Sequence, residues 1–246
     1  MPSVVARDTV PSVTATQLLR SELRVLAFDL YDTLLDRESW LVPAIEDYFS
    51  AVDHGGDPAV FLRRYLAMHF RDSMIDSLID GSHTPFKEIS RRAFVYRLEQ
   101  TGVPVDADRV RGVLDAWRDL EPYPDVEPAL SRLGEEYTLV GLSNGDPDML
   151  AAVEPSFETE LDGVLSVAEA GAYKPHPAPY RLLCERFDVA PHEVLFVSAH
   201  TFDIVGAKAI GMRGAFVNRH DNPYGSWFHQ PDLRVEDPDG LADVLT

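Results

Sequence analysis

Asp29, Ser143, Ser198, Lys174 and Asp203 are the residues whose types and placement could do chemistry together. Asp29 closes the apolar run R-V-L-A-F-D (24–29), Ser143 closes Y-T-L-V-G-L-S (137–143) and Ser198 closes V-L-F-V-S (194–198). Lys174 and Asp203 fall in segments that read as loops. In open α/β sheets the ligand sits outside the carboxyl ends of the strands, near the point where the strand order reverses. A crevice there would hold a carboxylate nucleophile, hydroxyl donors, a cation and a second acid, which are the parts of a covalent hydrolase. Singly, each has an ordinary reading: either aspartate could cap a turn or a helix.

The elements that must position these residues follow from hydrophobic patterning. The three runs above and G-A-F-V (214–217) are continuous apolar stretches of strand length, as buried parallel strands are. Helical spacing covers 146–153, 177–187 and 203–210, the last stopped by Gly211. Strand and helix alternate from 137 to 214, which favours right-handed βαβ crossovers. Residues 40–117 differ, with A-I-E-D-Y-F, V-F-L-R-R-Y-L-A-M-H-F, I-S-R-R-A-F-V-Y-R-L and V-R-G-V-L-D-A-W all at helical period. Turn chemistry interrupts them at G-G-D-P, D-G-S-H-T-P and G-V-P-V-D. The expected fold is α/β: a doubly wound, Rossmann-like parallel sheet with an inserted helical cap. Its divisions are an N-terminal extension (1–22), a core (23–38 and 120–246) and a helical cap (39–119) over the site. Residues 1–21 read as a frayed extension, and the tail after Arg219 as loop plus a final short helix.

Composition narrows the function classes. With 45% hydrophobic and 26% charged residues the chain is ordinary for a globular protein. No apolar run approaches the roughly 18 residues of a membrane span, nor does residues 1–21 contain a secretory apolar stretch; a cytoplasmic location is expected. A net charge of -19 and pI near 4.6 oppose nucleic-acid or anionic-membrane partners. Any cation in a cleft is then informative, and the lysines are only Lys87, Lys174 and Lys208. The lone cysteine, Cys184, has helical spacing among apolar residues and reads as a small core hydrophobe.

Four motifs in order carry a family resemblance. F-D-L-Y-D-T-L (28–34), L-V-G-L-S-N-G (139–145), Y-K-P-H-P-A-P-Y (173–180) and L-F-V-S-A-H-T-F-D-I-V-G-A-K (195–208) resemble motifs I to IV of the haloacid dehalogenase superfamily. The resemblance implies that Asp29 is a nucleophile forming a covalent intermediate, with Thr33 its hydrogen-bonding neighbour. The phosphatase members look like D-x-D-x-T, with a second Asp as general acid, but position 31 is Tyr. A phenol with pKa near 10 is a poor substitute for that acid. They also carry a magnesium-binding Asp where this chain has Ala199, and a methyl group offers no oxygen ligand.

At these positions the chain is similar to the L-2-haloacid dehalogenases: D-x-Y-x-T, L-S-N-G, K-P-x-x-x-x-Y and V-S-x-x-x-x-D. That likeness implies that Tyr31 lines the pocket, Ser143 binds the substrate carboxylate, Asn144 helps hold the halide, and Lys174 orients Asp29 and keeps it ionised. Asp203 with Ser198 would position and activate the hydrolytic water. Tyr180 matches the family tyrosine and would equally serve as a helix-core aromatic. His200 stands where Asn is more usual, Phe202 replaces Trp and Asp32 replaces Gly. The family's halide-binding arginine maps to Arg63 or Arg64, with Arg64 the choice.

The implied activity is hydrolytic dehalogenation of short 2-haloalkanoic acids through an aspartyl ester, without metal or cofactor. A homodimer is suggested by family likeness alone. The alternatives are a magnesium-dependent phosphohydrolase, with Asp32 replacing the missing ligand, and a non-catalytic binding protein on the same fold.

Overall fold

The computed structural model describes residues 13–79 and 83–246. Its centre is a six-stranded, wholly parallel sheet of β1 (Val25–Phe28), β2 (Thr138–Ser143), β3 (Gly163–Ser166), β4 (Val194–Ser198), β5 (Arg213–Val217) and β6 (Leu233–Val235), in the order β3-β2-β1-β4-β5-β6. β1 and β4 are buried at every position, which is why the sequence shows apolar runs there rather than alternation. In register, Phe28 lies beside Gly141 and Val197, so Asp29, Ser143 and Ser198 emerge at one end of three adjacent strands. The strand order reverses at β1, placing the crevice beside Asp29.

Helices α1 (Val13–Glu22), α6 (Val126–Leu133) and α10 (Pro238–Leu245) flank the sheet as one contacting group, and α8 (Pro177–Phe187) and α9 (Thr201–Ala209) as another. α7 (Pro147–Val153) packs on β3. Between β1 and β2 the chain forms α2 (Arg37–Ala51), α3 (Pro58–Leu78), α4 (Phe86–Thr101) and α5 (Ala107–Asp115), closed by a 3₁₀ turn at Ala116–Arg118. The chain leaves and re-enters the core side by side: Asp36 N–H donates to Glu121 O and Tyr123 N–H to Leu34 O. Asp36 and Asp57 cap α2 and α3 through their side chains. Pro85, which precedes α4, offers no side-chain cap; Asp146, in the loop after β2, accepts from Phe86 N–H at 2.8 Å and Lys87 N–H at 3.0 Å. The core loop thus pins the inserted helices above the carboxyl ends of the strands.

Three readings of the sequence need correction. Of the stretch taken as frayed, residues 13–21 lie in α1, where Leu19 is buried and Arg20 donates to Thr246 O; residues 1–12 fall outside the described part. α2 begins at Arg37, two residues inside the span assigned to the core, because Asp36 caps it. The tail contributes β6 as well as α10: its three residues add to the sheet beside β5, too short to show a pattern. Among the described residues no helix is long and apolar enough to cross a membrane.

Candidate active site

Lys174 organises the site. Its ammonium is 1% exposed and donates to Asp29 Oδ1 at 2.8 Å, Asp203 Oδ2 at 2.8 Å and Leu142 O at 2.7 Å. Burial alone would push the carboxyl of Asp29 up, but Lys174, His200 and Thr33 outweigh it and hold it below the ordinary value of 3.8. Asp203 goes the other way: burial, with Asp29 nearby, raises it despite Lys174 and Tyr180. Lys174 is itself held above 10.5, since the two carboxylates overcome its burial. One buried triad therefore keeps Asp29 ionised, as a carboxylate nucleophile requires.

The loop carrying Asp29 is tied to its neighbours by Thr33. Its hydroxyl donates to Asp29 Oδ2 at 2.7 Å and accepts from Ala199 N–H at 2.9 Å, while Asp29 N–H donates to Val197 O at 3.0 Å. Asp32 supports this turn at φ 64°, a left-handed conformation that Asp tolerates better than most residues. Asp203 is fully buried, and its side chain turns to Lys174 rather than capping α9. Ser198 Oγ donates to it at 3.3 Å, and Tyr180 Oη donates to its other oxygen. Tyr180 is a fully buried aromatic, edge-on to Phe196 and a donor to Asp203, and is not among the residues lining the cavity that opens on Asp29. Gly206 makes room for it: a Cβ there would lie 2.7 Å from Tyr180 Oη.

A cavity of about 250 Å³ opens on Asp29. Tyr31, Asn144 and His200 line it from the core, and Leu66, Phe70, Phe86 and Trp117 from the inserted segment. Tyr31 packs between Trp117 and Phe86, with burial raising its hydroxyl far above the ordinary range, so it stays neutral. His200 stacks on Phe202, and its Nε2 is 3.8 Å from Asp29 Oδ2 and 3.1 Å from Tyr31 O. Asn144 Oδ1 accepts from Lys174 N–H at 3.0 Å. Ser143 is fully buried beneath this wall, its Oγ accepting from Gly145 N–H at 3.2 Å, and is not among the lining residues. A larger depression, about 520 Å³, lies by Arg24, Tyr137 and Thr138 at the amino ends of β1 and β2, the wrong end of the strands for Asp29.

Arg63 and Arg64 do not reach the cavity. α3 turns Phe61, Leu62, Tyr65, His69 and Ser73 inward, and the helical period leaves both arginines exposed on the opposite face. The cavity-lining arginine is Arg37, which sequence reasoning missed. Its signal was position: it follows D-T-L-L-D directly, at the point where the chain leaves the sheet for the helices.

Residues 23–211 match the haloacid dehalogenase-like hydrolase family, and the chain belongs to it. It is 30% identical over 227 residues to haloacetate dehalogenase H-2 of Moraxella sp. (strain B), covering 91% of this chain and 98% of that protein. It is 32% identical over 204 residues to (S)-2-haloacid dehalogenase 1 of Pseudomonas sp. (strain CBS-3), covering 82% and 87%. Its structure is similar to that of L-2-haloacid dehalogenase from Xanthobacter autotrophicus with chloropropionic acid covalently bound, with a TM-score of 0.78 and 27% identity, covering 91% of this chain and 98% of that one.

Proposed function

We propose that this protein hydrolyses the carbon–halogen bond of short 2-haloalkanoic acids through an ester on Asp29. The observation that carries the reading is the Asp29–Lys174–Asp203 triad beneath a small, largely apolar cavity. An oxygen of Asp29 attacks the α-carbon; the C–O bond forms as the C–X bond breaks, and the electron pair leaves with the halide. Water then attacks the ester carbonyl, the alkoxide takes a proton, and Asp29 returns as carboxylate with release of a 2-hydroxy acid. Holding nucleophile and carbon in line supplies much of the acceleration, and Lys174 and Thr33 stabilise the carboxylate between steps. Ser198, His200 and Asp203 form the side from which water is positioned; Asn144, on the cavity wall, helps hold the halide, while Ser143, buried beneath that wall, braces it by accepting from Gly145 N–H.

The reaction needs no metal in this reading. A halide departs without protonation, whereas phosphoryl transfer relies on a cation to neutralise developing charge. The donor set suits the former. Asp203 spends its oxygens on Lys174, Ser198 and Tyr180; Ala199 supplies no ligand; and Asp32, the carboxylate that would have to substitute, is ion-paired with Arg37. The test is halide release from 2-chloropropionate and fluoroacetate in excess EDTA, with p-nitrophenyl phosphate plus magnesium alongside. Release that survives EDTA is expected; phosphate release alone, and only with magnesium, would overturn the proposal.

A further inference from the structure

An anionic substrate approaching a carboxylate nucleophile needs a cation in the cavity itself. Lys174 does not provide one, because each of its three N–H donors already has a partner and it is not among the residues lining the cavity. Arg63 and Arg64 face solvent. Arg37 is the one lysine or arginine among the residues lining the cavity. Its side chain is 19% exposed, its guanidinium lies 5.8 Å from the centre of the Trp117 ring, and its Nη2 donates to Asp32 Oδ2. A guanidinium has five donors in a fixed fork, so an ion pair on one edge leaves others to face a ligand.

The neighbouring wall also lacks partners. His69 Nδ1 and Tyr31 Oη, both on lining residues less than a tenth exposed, have no hydrogen-bond partner among the described residues. Burial, with Arg37 adjacent, pushes His69 down to about 3. It is therefore neutral and leaves Arg37 as the charge at that end.

Resting on the dehalogenase reading, we propose that Arg37 receives the halide as it leaves, with Asp32 as the counter-charge that holds the guanidinium in place. As the Asp29 oxygen–carbon bond forms, the carbon–halogen pair moves onto the halogen, which ends as a free anion against Arg37; no proton moves. The anion site thus belongs to the nucleophile loop and the first residue of α2, not to α3. Its affinity is tempered by Asp32, which competes with the halide for the same cation.

The test uses Asp29→Asn, which blocks turnover, titrated with sodium bromide while the saturable quenching of tryptophan fluorescence is followed. Adding Arg37→Met should weaken bromide at least about tenfold, the worth of one charge-assisted hydrogen bond. Adding Asp32→Asn, which keeps a residue tolerant of positive φ, should tighten it; a purely structural role for the pair would not move the two variants in opposite directions. No saturable quenching, an unchanged constant in Arg37→Met, or a loss that follows Arg64→Met instead overturns the assignment. If Arg37→Met does not fold, Asp32→Asn decides alone, and unchanged or weaker binding overturns it. Arg37-dependent bromide binding in a protein that releases no halide from 2-chloropropionate would support the anion site and sink the dehalogenase reading. Halide release with bromide binding indifferent to Arg37 does the reverse.

Discussion

Replacing Lys174 by Met keeps most of the side chain's length and removes the charge that two buried carboxylates share. The wild-type ammonium makes three hydrogen bonds within 2.8 Å in a place where it is 1% exposed. Breaking a buried ion pair by deleting one partner costs about 3–5 kcal/mol, because the remaining charge is left uncompensated. Here two remain, so the loss at neutral pH is expected at the upper end of that range. Its pH dependence is the sharper signature. Without Lys174, burial dominates for Asp29 as it already does for Asp203, lifting the folded pKa of Asp29 above the unfolded 3.8 and that of Asp203 further above it. A carboxyl raised in this way favours the fold fully only below its unfolded value, and that contribution is lost as pH rises through the folded value. The deficit of Lys174→Met should therefore be largest near pH 8 and narrow toward pH 5, by up to about 1.4 kcal/mol per pH unit for each carboxyl titrating. The wild type keeps the contribution of Asp29 over that interval, since its lowered pKa means stability is lost only as pH falls below the ordinary 3.8. Urea unfolding followed by circular dichroism at four pH values measures the gap. A deficit under about 1 kcal/mol, or one invariant between pH 8 and pH 5, would refute the triad as the centre of the site.

Thr33→Val removes the donor to Asp29 and strands the N–H of Ala199; kcat should fall by about ten- to a hundredfold with a matching loss of stability, measurable by halide release and thermal melting. Tyr180→Phe keeps the packing against Phe196 and deletes one donor to Asp203; if Asp203 serves the water step, the aspartyl ester should accumulate and be seen by mass spectrometry of acid-quenched enzyme, whereas equal slowing of both steps would contradict that role. Because Asp29 is held below 3.8, single-turnover halide release should show no acid limb from the nucleophile above that value, in the wild type or in His200→Asn; a limb at about pH 5 or higher surviving in His200→Asn would show that Lys174 does not set its ionisation.

Much of the core was legible because buried parallel strands write themselves as apolar runs ending on polar residues, which is how Asp29, Ser143 and Ser198 were found. β3 was not legible: Gly163 and Val164 are half-buried at its start, and four residues between a 3₁₀ turn and a loop leave no period to detect. The inserted helices were visible from their spacing, yet their clamp to the core was not, since Asp146 caps α4 across 60 positions of sequence. The site shows the same division. Lys174, Thr33 and Asp203 stood out through motif spacing, and the structure brings them together around Asp29. Family likeness points to Arg63 or Arg64 but carries no information on which face of α3 turns inward, and the single helical step from Arg64 to Tyr65 decides it. Arg37, Phe86 and Trp117 belong to three separate elements, and only the tertiary fold places them around one cavity.

The central claim is that Asp29 bonds to the substrate carbon, and oxygen tracing tests it directly. Enzyme in excess over 2-chloropropionate is allowed one turnover in ¹⁸O-water, then digested and weighed. The ester route requires the product hydroxyl to come from Asp29 and the label to appear in the peptide carrying Asp29. Label in the 2-hydroxy acid with an unlabelled Asp29 peptide would mean that water attacks carbon directly, and Asp29 would be no nucleophile.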